Sequence, residues 1–82
     1  MNTEQIKTIL QEEILELAPE ADLDLLDQEE DMREELDLDS MDFMRLCVAL
    51  GTKLGFQIPD SDLTKILTFE SMLAYLYERS KT

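Results

Sequence analysis

Apolar residues recur at helical spacing in three stretches of this chain, and no segment shows the two-residue alternation of a strand. Ile6, Ile9, Leu10, Ile14 and Leu17 predict an amphipathic helix over 3–17. Asn2 is its N-cap, Gln5 the capping-box partner three residues on, and Pro19 the stop. Residues 40–54, SMDFMRLCVALGTKL, predict a second helix with Asp39 as N-cap, Ser40 as the first helical residue and Gly55 as the C-terminal stop. Beyond the bend FQIPDSD, Asp60 or Ser61 caps a short helix through Ile66. Thr68 caps a last helix over 69–79, with Phe69, Met72, Leu73 and Leu76 inward. The pattern predicts an all-α fold: a small four-helix bundle of three longer helices and one short one, in a single domain spanning 1–82, with a long first loop.

That loop, residues 18–39, holds eleven acidic residues and one basic one, Arg33. A connection so long is uncommon in a compact domain unless it is functional or partly structured. Leu25, Leu26, Met32, Leu36 and Leu38 are expected to pin it to the helices, with a helical turn around 31–36.

The second helix has two apolar faces. On a helical wheel Phe43, Leu46, Cys47, Leu50 and Leu54 fall within about 100°, wide enough for a core stripe. Met41, Met44 and Val48 form a second stripe roughly opposite, flanked by Arg45 and Thr52. A helix of this length in a four-helix domain rarely buries its whole circumference, so the second stripe reads as a solvent-facing patch for a partner. Methionine suits that task because it repacks against different surfaces. The competing reading, a second core face covered by the loop, holds for one or two of the three at most.

Composition narrows the function. A net charge of −13 opposes nucleic acid and anionic membranes, which are bound through Lys and Arg, and favours basic protein partners met by salt-sensitive encounter. No apolar run reaches the ~18 residues of a membrane span. The first residues lack a signal peptide's charged start and apolar block, and one cysteine, Cys47, fits a reducing compartment, so the chain reads as cytoplasmic. There is no histidine, hence no Ser-His or Cys-His pair, and an enzyme is the poorest reading. DLDLLDQEED lacks the central glycine of a calcium loop, and no metal site is expected. Ser40, exposed at the first turn of a helix, is better placed to receive a group than to act as a nucleophile; a phosphate there would meet free N–H groups. Taken alone, a plain helix-start serine explains it better.

Asp39-Ser40-Met41-Asp42, followed by an apolar helix ending in LGFQIPDSD and then ILTFESMLAYL, resembles the acyl carrier protein family along nearly the whole chain. The resemblance implies that Ser40 receives 4'-phosphopantetheine from coenzyme A through a phosphopantetheinyl transferase, with Asp39 helping to present it. It implies a non-catalytic carrier whose arm holds acyl or aminoacyl thioesters and passes them between loading ligases or synthases of fatty acid or specialised biosynthesis. Met41, Met44 and Val48, with Asp42 and Arg45 beside them, match the family's partner surface, and small carriers of this kind are generally monomers. The chain departs from the pattern where it has Asp37 in place of the usual glycine. It departs again on the second helix, where Arg45, Gly51 and Thr52 replace the usual glutamates. The acid lies in the preceding loop instead, which points away from a housekeeping fatty-acid carrier and towards a specialised one. The alternative is an acidic interaction module that keeps the fold without modification.

Overall fold

The structure, a computed structural model, describes residues 2–81. Its elements are α1 (Thr3–Leu17), a single helical turn α2 (Met32–Glu35), α3 (Ser40–Leu54), a 3-10 helix (Asp60–Lys65) and α4 (Phe69–Ser80). α1 packs against both α3 and α4. The interior is made of Ile6, Leu10 and Ile14 from α1, Phe43, Leu46, Cys47 and Leu50 from α3, Phe69, Met72 and Leu76 from α4, and Met32 and Ile66 from the connections. Each of the larger side chains contributes about 1.5–3 kcal/mol by leaving water. Leu54 and Leu73 pack at the edge of this core rather than within it.

Local chemistry sets the helix ends. Asn2 Oδ1 accepts from the Gln5 N–H at 2.9 Å and Gln5 Oε1 accepts from the Asn2 N–H at 2.9 Å, the expected capping box. Asp39 caps α3 and Thr68 caps α4, as their positions predict. Gly55 takes a left-handed φ of 85°, and its N–H and that of Phe56 both donate to the Gly51 carbonyl, at 2.8 and 3.0 Å. This reversal brings the chain back hard against α3. A Cβ on Gly51 would lie 2.4 Å from the Phe56 carbonyl oxygen, so only glycine fits there.

The connections differ from expectation in two places. Leu25 does not pin the loop: it is 80 % exposed. Its N–H closes a turn onto the Asp22 carbonyl at 3.1 Å; Leu23 packs inward in its stead, beside Leu26, which packs as expected. The loop is held mainly by Met32, fully buried, and by backbone bonds to the start of α4: Met32 N–H to the Leu67 carbonyl at 2.8 Å and Glu70 N–H to the Gln28 carbonyl at 3.1 Å. The other correction concerns the short helix. It is a 3-10 helix that follows Pro59 with no side-chain cap; neither Asp60 nor Ser61 serves as one. Asp62, in its first turn, is engaged across the fold by Tyr75 and so holds the segment from outside.

A carboxylate lies within the apolar stripe of α1, and sequence reasoning missed it. Glu13 is 4 % exposed on α1, where it stands seven residues after Ile6 and three after Leu10, and pairs with Lys53 of α3 at 2.9 Å. The Glu13 hydrogen bond and charge raise the Lys53 pKa.

Candidate functional site

Ser40 is the first residue of α3, and it is exposed. Asp39 precedes it in extended conformation, its Oδ1 accepting from the Asp42 N–H at 2.8 Å and its carbonyl from the Phe43 N–H at 3.0 Å. The cap fixes the start of the helix immediately before the serine. It leaves the Ser40 hydroxyl without a hydrogen bond among the described residues, open to solvent at the positive end of the helix. Two residues before Asp39, Asp37 adopts a left-handed φ of 55°. That conformation explains why a glycine suits this place, and aspartate is among the few side chains that tolerate it.

The second stripe of α3 faces solvent as its spacing predicts: Met41, Met44 and Val48 are 59, 41 and 67 % exposed. Arg45 reaches Asp42 at 3.5 Å, so the two charges beside the stripe offset each other. The stripe borders a groove of about 670 Å³. Met44 and Val48 form one wall, Cys47 and Gly51 the floor, and Phe56, Ile58 and Leu63 the other wall. Sequence reasoning missed this groove. Its signal is Gly51 and Gly55 at helical spacing before Ile58-Pro59, which lets the returning chain run along α3 instead of away from it.

A polar network clamps the outer wall. Tyr75 Oη donates to Asp62 Oδ2 at 2.6 Å, Arg79 Nη1 donates to Tyr75 Oη at 2.9 Å, and Arg79 Nη2 donates to the Gln57 carbonyl at 3.1 Å. The guanidinium also lies over the Phe56 ring, 4.9 Å from its centroid. The Tyr75 hydroxyl, and secondarily Lys65, hold the Asp62 carboxyl below its usual range, while burial and then Asp62 raise the Tyr75 phenol. Burial pushes the Cys47 thiol up to about 11. It is therefore a neutral floor atom and a poor nucleophile.

The site presents a hydroxyl but holds no base to activate it. Asp39 is committed to its cap and Asp42 to Arg45, and among the described residues no three Cys, Asp or Glu side chains converge as metal ligands. A phosphodiester on such a serine fits the surroundings. The first-turn N–H groups of Ser40 and Met41 take no partner among the described residues, and the serine is exposed.

Comparison with known proteins agrees. Residues 4–76 match the family described as "Phosphopantetheine attachment site". The chain is 30 % identical to the acyl carrier protein of Campylobacter hominis over 78 residues, covering 95 % of this chain and 92 % of that one. It is 35 % identical to the acyl carrier protein of Rubrobacter xylanophilus over 74 residues, covering 82 % and 91 %. In three dimensions it is similar to the acyl carrier protein of Enterococcus faecalis, with a TM-score of 0.74 at 22 % identity over 95 % of this chain and 98 % of that one. The family's cofactor is 4'-phosphopantetheine, its members carry rather than catalyse, and they work with a phosphopantetheinyl transferase and acyl-handling enzymes. Among the described residues no helix is long and apolar enough to cross a membrane. With nearly the whole length matched at both levels, the chain belongs to the acyl carrier protein family, whose members bear a phosphopantetheine attachment site.

Proposed function

We propose that Ser40 is the residue that carries the 4'-phosphopantetheine arm, and that this chain shuttles acyl or aminoacyl thioesters between the enzymes of a specialised biosynthetic route. One observation carries the assignment: Ser40 is an exposed, unengaged hydroxyl at the first turn of α3, beside an apolar stripe and groove. In loading, Ser40 Oγ forms the new P–O bond and the P–O bond to the 3',5'-ADP portion of coenzyme A breaks. The hydroxyl proton passes to a base on the transferase, since this chain has none in reach. Asp39 keeps the serine at the helix start. When bound, the arm supplies a thiol that holds the cargo as a thioester.

Met41, Met44 and Val48 serve as the contact face for transferase and loading enzymes, with the Asp42–Arg45 pair at its edge. The groove between α3 and the 3-10 helix is the shelter for a cargo's apolar part. The carrier is a monomeric single unit of the cytoplasm in this reading. Its partners are matched to a nearly neutral α3 face, which is why a specialised route is favoured over bulk fatty-acid synthesis.

Intact mass after incubation with coenzyme A, magnesium and a broad-specificity phosphopantetheinyl transferase tests the assignment. The wild type is expected to gain one phosphopantetheine and Ser40→Ala none, with unchanged helicity. Loading of Ser40→Ala would move the site elsewhere. A folded wild type that resists loading by both broad-specificity and genome-neighbouring transferases would favour the unmodified interaction module.

A further inference from the structure

The first loop encloses a second cleft, of about 540 Å³, at the end of α1. Pro19, Leu26 and Leu36 line it, and Leu25 stands at its edge. At 80 % exposure Leu25 is the most exposed large apolar side chain among the described residues. Glu20, Asp22, Glu35 and Asp37 complete the lining. None of these four carboxylates meets a cation among the described residues. Among the described residues the Asp22 carboxylate accepts from the Asp24 N–H and that of Glu35 from the Asp27 N–H, and from no other donor. Arg33, the single basic residue of the loop, is taken by Asp31 at 2.7 Å.

We infer that this cleft docks a basic protein segment, one apolar side chain seated against Leu25 and Leu36 with Lys or Arg on either side of it. The inference rests on the carrier reading for the nature of the partner, an acyl-handling enzyme. The recognition chemistry is local. An exposed leucine over an apolar cleft gives contact area, and four uncompensated carboxylates select positive charge and repel anionic ligands. A bare cation is a poorer fit, because among the described residues no three carboxylates converge on one point. Asp37 lies three residues before Ser40, so a segment held here positions its enzyme at the start of α3.

The test is a titration of the full ¹⁵N-labelled chain with a synthetic peptide bearing one leucine between two pairs of lysines, followed by amide shifts. The expected outcome is a set of shifts centred on Leu25, Leu26, Leu36 and Asp37, with binding that weakens steeply as salt is added. Leu25→Ser, and separately a peptide with alanine in place of its leucine, should weaken binding about tenfold. Glu20→Gln combined with Asp37→Asn should weaken it about four- to tenfold. Shifts spread evenly over every acidic patch, shifts centred on Met44 and Val48, or an alanine peptide that binds as well would overturn the inference. Leu25→Ser should still accept phosphopantetheine as the wild type does. Failure of the wild type to load would remove the carrier reading, while the titration, which needs no arm, would still report on the cleft.

Discussion

Two apolar depressions lie on either side of Ser40 in the chain, and they are built in opposite ways. The groove beside α3 has one carboxylate in its lining, Asp60, and walls that cannot shift freely. Its floor is a backbone contact at Gly51, and its outer wall is clamped by Tyr75, Asp62 and Arg79. The cleft under the first loop has four carboxylates and an exposed leucine, and it is shaped by hydrogen-bonded turns whose Leu26 and Leu36 pack against the core. Shape and charge are thus divided between two surfaces. Apolar contact on α3 carries close fit, while the loop carries long-range attraction. An enzyme that relies on acid along α3 would find little to hold here.

The rigid groove should fail first. Gly51→Val places a branched side chain where even a Cβ would overlap the Phe56 carbonyl, and the obstacle is backbone that cannot rotate away. The expected cost is about 3 kcal/mol, seen as a large drop in thermal midpoint. A variant as stable as the wild type would mean that the 55–59 segment is free to leave α3. The next largest effect falls on the loop. Asp37→Val forces a β-branched side chain into the left-handed conformation at φ 55°, at a cost of about 1–2 kcal/mol. Asp37→Asn, which tolerates that conformation, should remain within about 0.5 kcal/mol of the wild type. Equal losses in the two variants would assign the effect to charge rather than backbone.

The clamp can be probed by pH. Asp62 is held below its usual carboxylate range first by the Tyr75 hydroxyl. A depressed folded-state pKa contributes stability that is present above the unfolded value, about 3.9, and is lost as pH falls through the folded value. Tyr75→Phe removes the main donor, so the folded pKa should rise towards the unfolded one. That variant should then lose less of its remaining stability between about pH 5 and pH 2 than the wild type does. Parallel acid-unfolding curves would show that Tyr75 acts through packing alone.

Much of this was legible in the sequence because helical spacing reports burial directly. The caps at Asn2, Asp39 and Thr68 and the exposure of Met41, Met44 and Val48 all follow from local pattern. What was not legible depends on contacts distant in sequence. Nothing around Glu13 announces Lys53, and the network at Asp62 joins residues 57, 62, 75 and 79. Leu25 misled for a related reason. An apolar residue in a loop carries no periodicity, and the turn at Asp22 decided which of three nearby leucines would stay outside.

The smallest effect on stability separates the two surfaces most sharply. Met44→Glu and Leu25→Ser both alter exposed side chains, so each should change stability by no more than about 0.5 kcal/mol and leave helicity unchanged. Their effects on recognition should differ. Met44→Glu puts a charge into an apolar contact face, so it should weaken transferase binding at every salt concentration. Leu25→Ser should leave loading intact and weaken only a partner that reaches the loop, most visibly at low salt, where attraction by the four carboxylates is least screened. Were both variants to weaken the same partner by the same factor at all ionic strengths, the two depressions would form one continuous interface. The division of shape from charge would then have no consequence for binding.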